Sequence, residues 1–274
     1  MLNPRPFLKW AGGKSRLLAQ FEPLFPNDIQ QFCEPFVGSG AVFFHLQRNA
    51  VAPFDALLSD ENDELINCYR IVREAPEELI AQLAEHDAQH GDEYFYATRS
   101  QRPGKLDPTT RAARTIYLNK TCFNGLYRVN KRGEFNVPMG RYRSPRILDR
   151  ENLLAVSQTL QNVALEVNDF RSLPEKVQTG EFIYFDPPYN PVSKTANFTS
   201  YTAHEFNDND QRELAAVYRR LDRLGCQLML SNSDTSLVRE LYTHFRIAEV
   251  FVGRAINSRA ERRGKVRELV VLNY

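Results

Sequence analysis

The chain has 274 residues, of which 42% are hydrophobic and 25% charged, with a formal net charge of +1 at pH 7. That is ordinary for a soluble globular protein, with length enough for one large domain or two small ones around a sizeable core. Cys33, Cys68, Cys122 and Cys226 form no Cys-x-x-Cys pair and accompany no His cluster, which argues against a zinc site and a disulfide framework, and no apolar run is long enough to cross a bilayer.

The opening Phe7-Leu8-Lys9-Trp10-Ala11-Gly12-Gly13-Lys14-Ser15 predicts a Gly-Gly turn ahead of a helical stretch. A Walker A loop is excluded, because the glycine it needs five residues before Gly13 is Leu8. The segment still offers backbone N–H groups, a lysine and an indole, a set suited to an anionic and partly aromatic ligand. No apolar signal-peptide core precedes it, so a cytoplasmic location is expected.

Phe32-Cys33-Glu34-Pro35-Phe36-Val37-Gly38-Ser39-Gly40 then reads as a strand, a Gly-x-Gly turn and a helix from about Ala41. Position 43 is Phe43, so the full dinucleotide fingerprint fails. Residues 56–60 predict a second strand ending in Asp60, twenty residues beyond Gly40, where a carboxylate can bind ribose hydroxyls or cap the helix predicted over 62–73.

Residues 63–150 change character. Helices are predicted over 76–86 and 109–118, followed by Asn124-Gly125, a strong hairpin-turn signal, and a second turn at Arg132-Gly133. From 99 to 150 there are thirteen Lys/Arg against three Asp/Glu, and from 253 to 267 six against one. Basic residues interleaved with Phe123, Phe135 and Tyr142 on a hairpin indicate a nucleic-acid reader. Arg128 can fork onto a guanine edge and Phe123 can wedge between bases.

The α/β alternation resumes with strands predicted over 163–169, 182–185, 226–232, 246–252 and 266–274, and helices over 208–221 and from 235. The whole order predicts an α/β fold, a doubly wound sheet split by a smaller insertion. The strand over 182–185 runs into Asp186-Pro187-Pro188-Tyr189. This turn suits activation of an exocyclic amine whose lone pair is delocalised into a ring. Asp186 and the Pro187 carbonyl accept the amine hydrogens, the proline ring keeps that carbonyl aimed, and Tyr189 offers a stacking face.

These motifs stand in one order along essentially the whole chain. Together with Asn124-Gly125-Leu126, 132–138, 195–199 and Leu230-Ser231-Asn232, they resemble the Dam-type DNA adenine-N6 methyltransferases of the α group, D12 class. The resemblance implies a Rossmann-like methyltransferase sheet built from 1–62 and 151–274. It also implies a mainly helical target-recognition domain at 63–150 that carries a β-hairpin. S-adenosylmethionine is the implied methyl donor, held by Trp10, Lys14, Phe36, Gly38, Gly40, Asp60 and Asp186, with no metal. A flipped adenine of double-stranded DNA, in GATC, is implied against the catalytic Asp186, Pro187 and Tyr189. The implied DNA contacts are Lys9, Phe123, Asn124, Leu126, Arg128, Pro138 and Tyr142, with Lys9 on the outer guanine and Phe123 as a wedge. A monomer is expected. An RNA adenine or protein glutamine methylase and a non-catalytic DNA-binding module are the competing readings; the basic hairpin weighs against glutamine and the intact cofactor motifs against the module.

Overall fold

The computed structural model describes residues 3–130, 132–191, 206–253 and 265–274. Lys131, the 195–199 motif and most of the C-terminal basic block lie outside the described residues. Seven strands form one sheet: β1 (Gln31–Glu34), β2 (Asp55–Asp60), β3 (Val163–Val167), β4 (Phe182–Phe185), β5 (Gln227–Ser233), β6 (Arg246–Gly253) and β7 (Lys265–Leu272). Their order is β3-β2-β1-β4-β5-β7-β6, with β7 antiparallel to both neighbours and the remaining pairs parallel. The chain order reverses between β1 and β4. A doubly wound sheet opens its ligand crevice at that point, outside the carboxyl ends of the strands. The Gly-x-Gly turn after β1 and the Asp-Pro-Pro-Tyr turn after β4 therefore meet at one place.

Alternation along the central strands divides the interior into two cores. Phe32, Phe182, Tyr184 and Met229 face one side, and Cys33, Ile183, Phe185 and Leu228 the other. Because helices cover both faces, β4 is apolar throughout, as a central parallel strand requires. The second core is closed by α8 (Asp208–Arg223) through Leu214, Ala215, Tyr218 and Leu221. A reciprocal capping box between Asn207 and Asp210 sets where that helix starts.

The preceding helices are α1 (Leu18–Phe21), α2 (Ala41–Asn49), α3 (Asp63–Glu74), α4 (Pro76–Ala88), α5 (Asp92–Ser100), α6 (Pro108–Thr121) and α7 (Arg150–Thr159), and α9 (Ser236–Leu241) follows. Asp107 caps α6 by accepting from Thr109 and Thr110, with Pro108 at the first helical position. Asn62, not Asp60, caps α3, its side chain accepting from Leu65 N–H at 3.2 Å. α5 and α7 were not anticipated from the sequence. Helices α3 to α6 and the loop beyond them, through Phe135 and Val137, enter the first core beside Phe32 and Phe182.

The predicted hairpin is only loosely paired. Asn124 and Gly125 both take positive φ, 55° and 63°, but the chain reverses at the second predicted turn, Arg132-Gly133, where Gly133 has φ 75° and Asn130 N–H donates to the Glu134 carbonyl at 2.9 Å. Its limbs meet at two isolated antiparallel bridges, Cys122 with Met139 and Val129 with Phe135. Pro138 has no N–H for a continuous ladder; its carbonyl accepts from Phe123 N–H at 2.9 Å instead.

Gly40 sits at φ +66°, and a Cβ there would lie 2.8 Å from the Tyr69 hydroxyl. Gly40→Ala should lower unfolding free energy by about 1–3 kcal/mol from left-handed strain and crowding. Gly104→Ala, with nothing within 4 Å, should change it little. Equal denaturant midpoints for the two variants would contradict this packing.

Candidate functional site

At the switch point a cavity of about 1000 Å³ is lined by Trp10, Gly12, Lys14, Glu34, Phe36, Gly38, Asp60, Asp186, Pro187 and Tyr189, among others. The sequence-derived cofactor and catalytic residues thus share one space, with one exception. Gly40 does not line it; its positive φ closes the turn into α2 against Phe44 and Tyr69. Both glycines serve the turn, and of the two Gly38 lines the cavity. A Cβ on Gly38 would lie 2.7 Å from the Trp10 indole, so glycine is required for that close approach.

Asp60 ends β2, and both its carboxylate oxygens are occupied from the protein side. Gly38 N–H donates at 3.3 Å and Asn62 N–H at 3.0 Å. Burial pushes its carboxyl up to about 6, opposed by those two N–H groups. Phe36 packs on Phe170, with ring centroids 5.5 Å apart, and forms the apolar side of the crevice. Asn168 and Asp169, just past β3, also line the cavity and were not singled out beforehand. The position directly after a parallel strand was the available signal.

The Asp-Pro-Pro-Tyr turn is bracketed from β5 and α8. Gln211, 1% exposed, donates to the Pro188 carbonyl at 3.0 Å and accepts from the Asn232 amide at 3.0 Å. Asn232 in turn accepts from Asn190 N–H at 3.1 Å. Ser231 donates to Asp186 at 3.2 Å and bonds the Tyr184 hydroxyl at 2.7 Å. These partners give the Leu230-Ser231-Asn232 run its structural role.

Asp186 is paired with Lys14, whose buried ammonium lies 2.7 Å from Oδ1 and also donates to the Gly12 carbonyl. The same ammonium sits 4.7 Å over the Tyr189 ring. The Tyr189 hydroxyl donates to Glu268 at 2.7 Å. Burial raises the carboxyls of Asp186, Glu34 and Glu268; Lys14 opposes this in all three. One cation is shared among three carboxyl groups.

The residues proposed to touch DNA lie outside the cavity and gather beside it. Phe123, Asn124, Arg128, Pro138, Tyr142 and Lys9 are exposed and Leu126 is half-buried. The Lys9 ammonium rests 4.2 Å over the Tyr142 ring. Arg128 donates to Asn136 at 2.7 Å. The basic count overstated this surface: Arg114 is buried on the Thr98 and Arg99 carbonyls, and Arg111, Arg146 and Arg150 pair with acids. Arg141 and Arg143 remain exposed beside Tyr142.

A doubly wound sheet with an antiparallel β7, a glycine turn and an acidic strand end around one crevice defines a Rossmann-like methyltransferase. Residues 10–256 match the D12 class N6 adenine-specific DNA methyltransferase family, and the chain belongs to it. It is similar to the type II methyltransferase M.MjaIII of Methanocaldococcus jannaschii, 43% identical over the full length of both chains. The type II methyltransferase M1.LlaDCHI of Lactococcus lactis subsp. cremoris is 43% identical, over all of this chain and 96% of that one. The DNA adenine methylase of Escherichia coli (strain K12) is 36% identical, over 99% and 96%. Among solved structures, the delta-N METTL16 MTase domain aligns with TM-score 0.38 and 7% identity, over 92% of this chain and 78% of that one. The protein is an adenine-specific DNA methyltransferase, and S-adenosylmethionine is the methyl donor its family implies. No helix among the described residues is long and apolar enough to cross a membrane.

Replacing Lys14 by Met removes the cation that favours ionised Asp186. The Asp186 carboxyl should then titrate at higher pH, followed by carboxyl-carbon NMR. An unmoved titration would show that the ion pair does not set the charge of this group.

Proposed function

We propose that this enzyme methylates N6 of an adenine flipped out of duplex DNA, in GATC sites. The observation that carries the chemistry is the bracketed turn: Asp186 and Pro187 stand at the end of β4, held from Lys14, Ser231, Gln211 and Asn232. Asp186, paired with Lys14, accepts one hydrogen of the adenine amine, and the Pro187 carbonyl accepts the other. Together they favour a tetrahedral amine, which takes the nitrogen lone pair out of conjugation with the ring. Tyr189, its hydroxyl fixed by Glu268, presents its ring to the base. Placing the base out of the duplex costs a few kcal/mol, offset by that stacking and by contacts outside the cavity.

The cavity fits the methyl donor. Trp10 and Phe36 supply aromatic surface, Gly38 keeps the backbone clear, and Asp60 is aligned to accept from ribose hydroxyls. Lys14 and Asp186 complete the set. When bound, S-adenosylmethionine supplies a methyl group on a sulfonium, a leaving group that needs no metal. The protein's part is positioning.

Support for GATC comes from the neighbouring surface. The residues to which the family resemblance assigns base contacts (Lys9, Leu126, Arg128 and Pro138) flank one turn and its partner limb, with Phe123 exposed among them as the wedge. Residues 63–150 therefore serve as the target-recognition unit. A single chain carries donor site, turn and reader, so the enzyme acts as a monomer, in the cytoplasm where it meets DNA.

Expression in a host without adenine methylation, followed by mapping of methylated adenines, tests this reading. The expected result is methylation confined to GATC, absent with Asp186→Ala. A different motif would remove the GATC assignment, and methylation by Asp186→Ala would remove Asp186 from the chemistry.

A further inference from the structure

Asn119 lies in the last turn of α6 and is 1% exposed, yet methyl transfer makes no use of it. Its side-chain oxygen accepts from Lys9 N–H at 2.8 Å. Its nitrogen donates to the Lys9 carbonyl at 2.7 Å and to the Gly125 carbonyl at 3.1 Å. The amide thus pairs with both backbone groups of Lys9, as a neighbouring strand would, and spends its remaining proton on the turn. Only a carboxamide has this combination; aspartate lacks both donors.

The fit between the two segments is close. Gly125 has φ +63°, and a Cβ there would lie 2.4 Å from Lys9 Cδ and 2.6 Å from Lys9 Cβ. The Lys9 stem therefore lies against the turn, while its ammonium is held over Tyr142. The next residue, Trp10, stacks on Tyr127 with centroids 5.4 Å apart and lines the cavity. A buried, fully paired amide of this kind specifies one arrangement of the segments it joins.

We propose that Asn119 is a positioning residue that locks Lys9 to the 124–125 turn, so that base contacts from the N-terminal segment and from the loop act as one rigid reader. This rests on the reading above, in which Lys9 and Arg128 contact different base pairs. Loosening the lock frees Lys9 relative to the loop, and a side chain free to shift no longer penalises the wrong base.

The test measures kcat/KM for methylation of the preferred duplex and of each single-base variant, using the parent enzyme, Asn119→Asp and Gly125→Ala. Lys9→Ala and Arg128→Ala identify the base pair each side chain reads. Asn119→Asp should reduce discrimination roughly tenfold at both of those base pairs together. Gly125→Ala, which pushes Lys9 off the turn, should do the same and carries the test if Asn119→Asp fails to fold. A merely structural role reduces the active fraction, lowers every rate by one factor and leaves the ratios intact; that result overturns the proposal. So does lost discrimination at only one of the two base pairs. A parent enzyme without site preference overturns the underlying reading and this proposal together, and is distinguishable because it is seen before any variant is compared.

Discussion

The side-chain amide of Gln211 fixes the geometry on which this enzyme depends. It reaches from α8 to the Pro188 carbonyl and to Asn232 on β5, while Asn232 holds Asn190 N–H. Each of these bonds contributes only about 1 kcal/mol net, but leaving a buried partner unpaired costs about 1–3 kcal/mol. The turn after β4 therefore has one satisfied arrangement, and departures from it break several bonds at once. Proline supplies the local part of this rigidity by fixing φ at two successive residues. Gln211 and Asn232 supply the tertiary part.

Electrostatics in the same place work by sharing. Glu34, Asp186 and Glu268 are each raised by burial, and Lys14 opposes the rise in all three. Its direct 2.7 Å contact is with Asp186. Glu268 instead has the Tyr189 hydroxyl, and Glu34 accepts from Phe43 N–H. Of the three carboxyls, Asp186 is the one in direct contact with the cation, and it also accepts from Ser231. The N-terminal segment that delivers Lys14 also delivers Trp10 to the cavity wall and Lys9 to the exposed surface. Six residues, 9–14, thus connect the cavity wall, the turn after β4 and the exposed surface beside them.

Much of this was legible in the sequence where the cause is local. Asp-Pro-Pro-Tyr announces a stiff turn after a buried strand, and Asn124-Gly125 announces a turn, which the two residues make with positive φ. Strand ends were readable within a residue or two because apolar runs of central strands stop abruptly. What the sequence hid is set by distant partners. Gln211 lies 23 residues from Pro188 and 21 from Asn232, and nothing in its neighbourhood marks it. Asn124-Gly125 predicts a hairpin turn, but with Asn119 anchoring the Gly125 carbonyl it forms a single tight helical turn, and the limbs reverse at the second predicted turn, Arg132-Gly133. Helix α5, which packs by burying Phe95 and Thr98, shows too short an apolar pattern to be read from the sequence. A count of arginines could not distinguish Arg114, folded onto carbonyls in the interior, from exposed Arg141.

If positioning by the bracket is the source of catalysis, its removal must slow chemistry without abolishing donor binding. The direct measurement is the single-turnover methyl-transfer rate of Gln211→Met at saturating duplex and S-adenosylmethionine, normalised to the folded fraction. The expected result is a fall on the order of 10²-fold, the scale for misplacing a reacting group by about 1 Å, with unchanged donor affinity in the absence of DNA. A parent-like rate, or a loss explained entirely by weaker donor binding, would contradict it.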